Sequence, residues 1–137
     1  MRVRAAVLLA LASLTAACAQ SRDQVIATYQ PPIGSNEVLR GAIDSAPGRQ
    51  MVVGDLVFPA HSPIPRHYHE GEEFLYVLGG ETTISRPGTP DIVLTVGESI
   101  RIPPGTVHWG IAGPEGVRAI SSWIAVEGQP LRVEVPE

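Results

Sequence analysis

The stretch Arg66 to Gly80, RHYHEGEEFLYVLGG, decides how the chain is read. It places His67, His69 and Glu73, three side chains able to ligate a transition metal, within seven residues. In an extended strand residues i and i+2 point to one face, so His67 and His69 are expected to aim at one point from a single strand. Glu73 opens the next strand after a polar turn over 68–72. From there Glu73, Leu75 and Val77 fall on one face, and Phe74, Tyr76 and Leu78 on the other. A second stretch, Gly97 to Ala112, supplies His108 just after Pro103-Pro104-Gly105. Three neutral imidazoles and a carboxylate suit divalent Fe, Mn, Ni, Cu or Zn, and do not separate these metals. Taken singly, each feature is ordinary: a His-x-His pair in a solvated loop, a Glu at a strand start, a hydrogen-bonded core His, a Pro-Pro-Gly turn. Their joint occurrence points to a metal site.

Working outward, short strand candidates alternate with turn residues. They are Glu37–Ile43, Met51–Phe58, Glu73–Leu78, Thr82–Ser85, Ile92–Val96, Ser99–Ile102, Val107–Ala112 and Val117–Val126. Leu131–Val135 reads as a last edge strand or a tail. Gly79-Gly80, Pro87-Gly88-Thr89-Pro90, Gly97-Glu98 and Gly113-Pro114 are expected to turn the chain. Outside the first residues no stretch carries a 3.6-residue period. Many short strands with turns every eight to twelve residues predict an all-β sandwich or barrel.

The two stretches have the order and spacing of a known pair. Residues 67–80 read His-x-His, three residues, Glu, six residues, Gly. Residues 97–108 read Gly, five residues, Pro-x-Gly, two residues, His. These are similar to the two signature motifs of the cupin family, and the sixteen residues between Gly80 and Gly97 suit a compact member. The resemblance covers roughly residues 50–126. It implies a single cupin β-barrel (double-stranded β-helix, or jelly roll) with metal held inside by His67, His69, Glu73 and His108. It also implies a homodimer. Two positions depart from the pattern. His61 stands where the first motif usually opens with Gly, and reads as a surface-loop residue. Ala112 stands where the second usually ends with Asn, which would leave the pocket more apolar.

Two functions are open on these residues. One is a metal-dependent enzyme on a small organic molecule. The resemblance points first to a dioxygenase of the quercetin-dioxygenase-like kind and next to a lyase or isomerase, with Glu73 as ligand and catalytic base. The other is a non-catalytic module that holds metal or a small ligand at the cell envelope. The two differ in what lies over the metal: an enzyme needs a substrate-sized cavity there, a holding module does not. Tyr76, on the face opposite Glu73, is a poor candidate acid. Arg101, between Ile100 and Ile102, reads as an outward residue rather than an anion ligand. Trp109 is expected to face away from the metal, and Trp109 and Trp123 read as packing residues. Glu70 and Glu72 read as a solvated acidic turn. No other ligand-binding residue is identifiable from sequence.

The chain of 137 residues opens with an export pattern. Arg2 and Arg4 precede the ten-residue apolar run Ala5–Leu14, too short for a permanent span. Thr15-Ala16-Ala17-Cys18 follows. This resembles a bacterial lipoprotein signal with Cys18 as the lipidated residue, although Leu14 stands one place before the usual lipobox Leu. Cleavage after Ala17 or Ala19, leaving a soluble periplasmic protein, is the other reading. The chain's single Cys falls at that boundary, which favours the lipoprotein and rules out an intrachain disulfide. The organisation expected is a signal over 1–18, a linker over 19–36, in which Val25, Ile26 and Tyr29 could dock on the domain, and a cupin domain over 37–137. There is no Lys among the ten basic residues, and net charge is −4. No Arg cluster exists, so nucleic acid is not an expected partner. The membrane enters only through an anchor at Cys18.

Overall fold

The computed structural model describes residues 29–136. Cys18, the signal segment, Val25 and Ile26 lie outside the described residues; Tyr29 is exposed rather than docked. The described residues form eight strands and no helix: β1 (Gly34–Ala42), β2 (Arg49–Phe58), β3 (Pro63–Tyr68), β4 (Glu73–Ser85), β5 (Ile92–Thr95), β6 (Ser99–Ile102), β7 (His108–Val126) and β8 (Val133–Glu134). All pairings are antiparallel. The order β1-β2-β7-β3-β8 continues through β7 to β4, whose other edge takes β5 and β6. The all-β barrel expected from the turn spacing is the architecture observed.

Two expected turns are not turns. Gly79-Gly80 lies inside β4, and Gly113-Pro114 inside β7, so four expected strands merge into two long ones. The physical reason is a paired irregularity. Along β4 the alternating buried residues are Glu73, Leu75 and Val77, then Thr82 and Ile84, with Ser85 also buried at the end, so the inward parity changes between them. Along β7 they are His108, Gly110 and Ala112, then, past the buried Gly116, Val117, Ala119, Ser121, Trp123 and Ala125. The register of the β4–β7 pair shifts at Val77/Gly79 and again at Gly80/Thr82. Bulges of this kind bend a strand and re-aim its side chains without ending it. Gly80 and Gly116 meet here in left-handed conformations, φ +65° and +82°. A Cβ on Gly80 would sit 2.0 Å from the Gly116 carbonyl oxygen, so only glycine fits.

Further differences are smaller. β1 starts at Gly34, ahead of the expected Glu37, and β3 is a strand despite its prolines. Pro63 and Pro65 are tolerated because only part of β3 forms ladder pairs, with a register shift between Ile64 and His67. Leu131–Val135 shrinks to the two-residue β8, paired to β3 within the same chain.

Two apolar clusters fill the barrel. One joins Leu75, Val77, Ile84, Leu94, Ile102, Ala112, Val117 and Ala119; the other joins Val52, Leu56, Trp123 and Ala125. Phe58 packs against both. Ala112 shares the inward parity of His108 on β7 and is buried in the first cluster.

Candidate metal centre

Three strands bring the four sequence-predicted ligands together. His67 pairs directly with His108 across β3 and β7. Glu73 begins β4 opposite Trp123 of β7. His69 lies one residue beyond β3, so the two histidines of the first motif come from a strand end rather than from one uninterrupted strand. Gly105, the glycine of the second motif's turn, donates its N–H to the His69 carbonyl at 2.8 Å and ties the two motifs together. Each of the four residues is at most 5 % exposed, and one candidate ligand atom from each lies within 4.8 Å of the others.

The hydrogen bonds define which atoms face the centre. Each imidazole directs Nδ1 at a backbone carbonyl: His67 at Pro65 (2.7 Å), His108 at Thr106 (2.9 Å) and His69 at Leu131. A carbonyl only accepts, so each Nδ1 carries the proton and each neutral ring turns its Nε2 lone pair inward. Outer partners of this kind fix the tautomer and orientation of metal-ligating histidines. Glu73 Oε1 accepts a hydrogen bond from the buried Ser121 hydroxyl. Glu73 Oε2 is buried with no hydrogen-bond donor, 3.1 Å from His69 Nε2 and 3.2 Å from His108 Nε2. A carboxylate oxygen facing imidazole lone pairs is an electron-rich cage that a cation would satisfy. The residues present therefore fit a divalent transition metal.

The electrostatics agree with that fit. Burial, with the adjacent His108 next, pushes His67 down to about 4, so its ring is neutral and free to ligate at neutral pH. Burial alone would raise the Glu73 carboxyl. His108 and His69, wherever a ring carries a second proton and donates from Nε2, and the Ser121 hydroxyl outweigh it and hold the group below the ordinary carboxylate range in the metal-free chain.

Above the cluster is a cavity of about 200 Å³, lined by all four candidate ligands. Leu56, Phe58, Ile64, Leu75, Ile84 and Ile102 make its walls apolar, and Ser35 and Arg132 border it. Trp123, read from sequence as packing, has a second role: its indole N–H donates to His69 Nε2 at 3.2 Å. The odd parity it shares with Ser121 hinted at this, but the parity switch in β7 hid their common face with His108. Ser121 was likewise missed, as an isolated Ser in a Ser-Ser pair. Trp109 does not turn wholly away: it borders the cavity while its ring packs 4.7 Å beneath the Arg66 guanidinium. Arg101 faces outward and pairs with Glu72 at 3.2 Å, Tyr76 is exposed on the face opposite Glu73, and Glu70 is exposed in the turn. His61 is exposed at φ +60°, a left-handed position that explains a glycine preference there.

The cupin domain family matches residues 54–123, just over half of the chain and both halves of the four-residue cluster. The chain belongs to the cupin superfamily. This cupin is 34 % identical to the D-lyxose ketol-isomerase of Cohnella laeviribosi over 44 % of its own length and 47 % of the isomerase. It thus spans about half the length of that curated relative. A cupin-like protein of Thermotoga maritima superposes with a TM-score of 0.56 at 26 % identity, over 66 % of either chain. A Klebsiella pneumoniae protein with a double-stranded β-helix domain superposes at 0.59 and 20 % identity, over 79 % of this cupin and 90 % of that chain, a likeness of fold.

Proposed function

We propose that this cupin is a metal-dependent enzyme acting on a small organic molecule by proton transfer, as an isomerase or lyase. The observation that carries this reading is the cavity above the ligand cluster. A module built only to hold metal would close four ligands over the ion; here the four line an open space of about 200 Å³. The likeness to a ketol-isomerase supports proton transfer over dioxygen chemistry.

His67, His69, Glu73 and His108 would hold the metal, through Nε2 of each ring and the Glu73 carboxylate. When bound, it would supply Lewis acidity to a substrate carbonyl or hydroxyl. The chain's own residues do the rest. Backbone carbonyls keep the three rings oriented, and the apolar walls exclude water. Ser121 fixes Glu73 Oε1 and leaves Oε2, ionised and lacking a donor, to serve as metal ligand or, where a substrate takes that place, as the base that accepts its proton. The Trp123 N–H can donate to a substrate oxygen.

Export is our reading of the sequence of residues 2–18, and with it this enzyme would stand in the periplasm or on the membrane through Cys18. A homodimer is supported by the exposed apolar row Phe74, Tyr76 and Leu78.

Elemental analysis of the purified protein, beside His67→Ala and His108→Ala, tests the centre. About one metal per chain, lost in both variants, is expected. Assays of the loaded enzyme then compare aldose–ketose interconversion and β-elimination with oxygen uptake. Oxygen consumption without isomerase or lyase turnover would reverse the choice of reaction. No metal after reconstitution would sink the metalloenzyme.

A further inference from the structure

Beside the four candidate ligands, the cavity wall holds one permanent cation, Arg132, whose Nη2 shares the Pro65 carbonyl with His67 Nδ1. The chain has no Lys, so arginine must supply any fixed positive charge. Arg40, Arg101 and Arg118 pair with Glu37, Glu72 and Asp55, and Arg66 covers Trp109. Arg132 is the arginine the fold assigns to the cavity.

Its position is built. Leu131, next to it, accepts the His69 Nδ1–H through its carbonyl and packs its side chain against the Val52, Leu56 and Trp123 cluster. On the other side β8 pairs with β3, and Val135 donates to the Arg66 carbonyl at 3.0 Å. Arg132 Nη2 donates to the Pro65 carbonyl at 3.2 Å. Nε is buried 2.9 Å from Glu134 Oε1, but its N–H is not aligned on that oxygen. A guanidinium has five N–H donors in a planar fork that matches a carboxylate. Most of them remain for a ligand. Glu134 is a weak competitor, since its side chain is 67 % exposed.

We infer that this site takes small organic acids, whose carboxylate engages Arg132 on the cavity wall while another oxygen of the same molecule meets the metal-ligating cluster. The inference rests on the proposed metal reading for the second contact only. A volume of about 200 Å³ lies below the ~300–1,000 Å³ of drug-sized pockets and restricts the ligand to a few carbons.

The test compares 3-hydroxypropanoate and 4-hydroxybutyrate with their uncharged amides. Binding to the full chain is measured by calorimetry, with metal content determined in parallel. Arg132→Gln and Glu134→Gln are carried alongside the natural chain. The better acid is expected to bind at least about tenfold tighter than its amide. Arg132→Gln should abolish that preference with metal content unchanged. Glu134→Gln should sharpen it about two- to threefold by removing the internal carboxylate. Equal binding of acid and amide, a preference that survives Arg132→Gln, or no acid binding at millimolar concentration would each overturn the inference. Failure of the metal reading has a separate signature: no metal in the natural chain, with the Arg132-dependent preference for acids still present.

Discussion

Trp123 donates its indole N–H to His69 Nε2 across 3.2 Å, and that nitrogen is the atom His69 has free for a metal. Indole and metal therefore compete for one lone pair. A buried hydrogen bond of this kind contributes about 1 kcal/mol. Trp123→Phe should bind metal about two- to tenfold more tightly in a chelator competition, at some cost in stability from the lost ring volume. Unchanged or weaker binding would show that the indole does not oppose loading.

Ser121 acts in the opposite sense. Its hydroxyl, fully buried, donates to Glu73 Oε1 and holds the carboxylate in position. Ser121→Ala leaves that oxygen without its donor. Metal affinity should fall about 10- to 100-fold, as for other outer partners of metal ligands. The same chelator competition reads it, and an unaltered affinity would assign Ser121 to packing alone.

Acid should weaken the metal-free chain. The folded pKa of His67 lies at about 4, below its ordinary value of 6.5, so between these values the unfolded chain binds the extra proton. Stability is then fully present above pH 6.5 and falls as pH drops toward 4. Glu73, also depressed, adds a loss that begins near its ordinary value of 4.5 and continues to lower pH. Urea unfolding of chelator-treated protein should show roughly 1–3 kcal/mol less stability at pH 4.5 than at pH 7. A flat profile would contradict the burial of a neutral His67.

The turn joining the two halves of the first motif has no room for a side chain. A Cβ on Gly71 would lie 1.7 Å from the Ile124 carbonyl oxygen, beside the bond from Ile124 N–H to the Glu72 carbonyl at 2.9 Å. Backbone cannot yield as a side chain does. Gly71→Ala should destabilise by about 3 kcal/mol or more, measured by thermal or urea unfolding. A loss under 1 kcal/mol would mean that the turn relocates freely.

The alternating face of Glu73, Leu75 and Val77 and the outward Arg101 were legible from short-range periodicity, and the four candidate ligands from the order and spacing of two motifs that resemble the cupin pair. The supports of the site were not. Leu131 lies 62 residues from the ring it orients, and Ser121 lies 48 residues from Glu73. Local pattern carries no sign of such pairings, which depend on the register of β7 and on β8. The merged strands were missed for a different reason. Glycine pairs mark turns and bulges alike, and only the partner strand decides between them.

That pairing of bulges fixes one dimension of the chain. His108 stands before the irregularity of β7, and Ser121 and Trp123 stand after it, yet His108 and Trp123 line one cavity and Ser121 reaches Glu73 in its wall. Pro114 and Glu115 within it are exposed, so substitution there should be harmless. Deleting one of them, or inserting one residue, would turn one half of the strand inside out and part the histidine from the groups that serve it. Over this segment the barrel is indifferent to spelling and strict about word length.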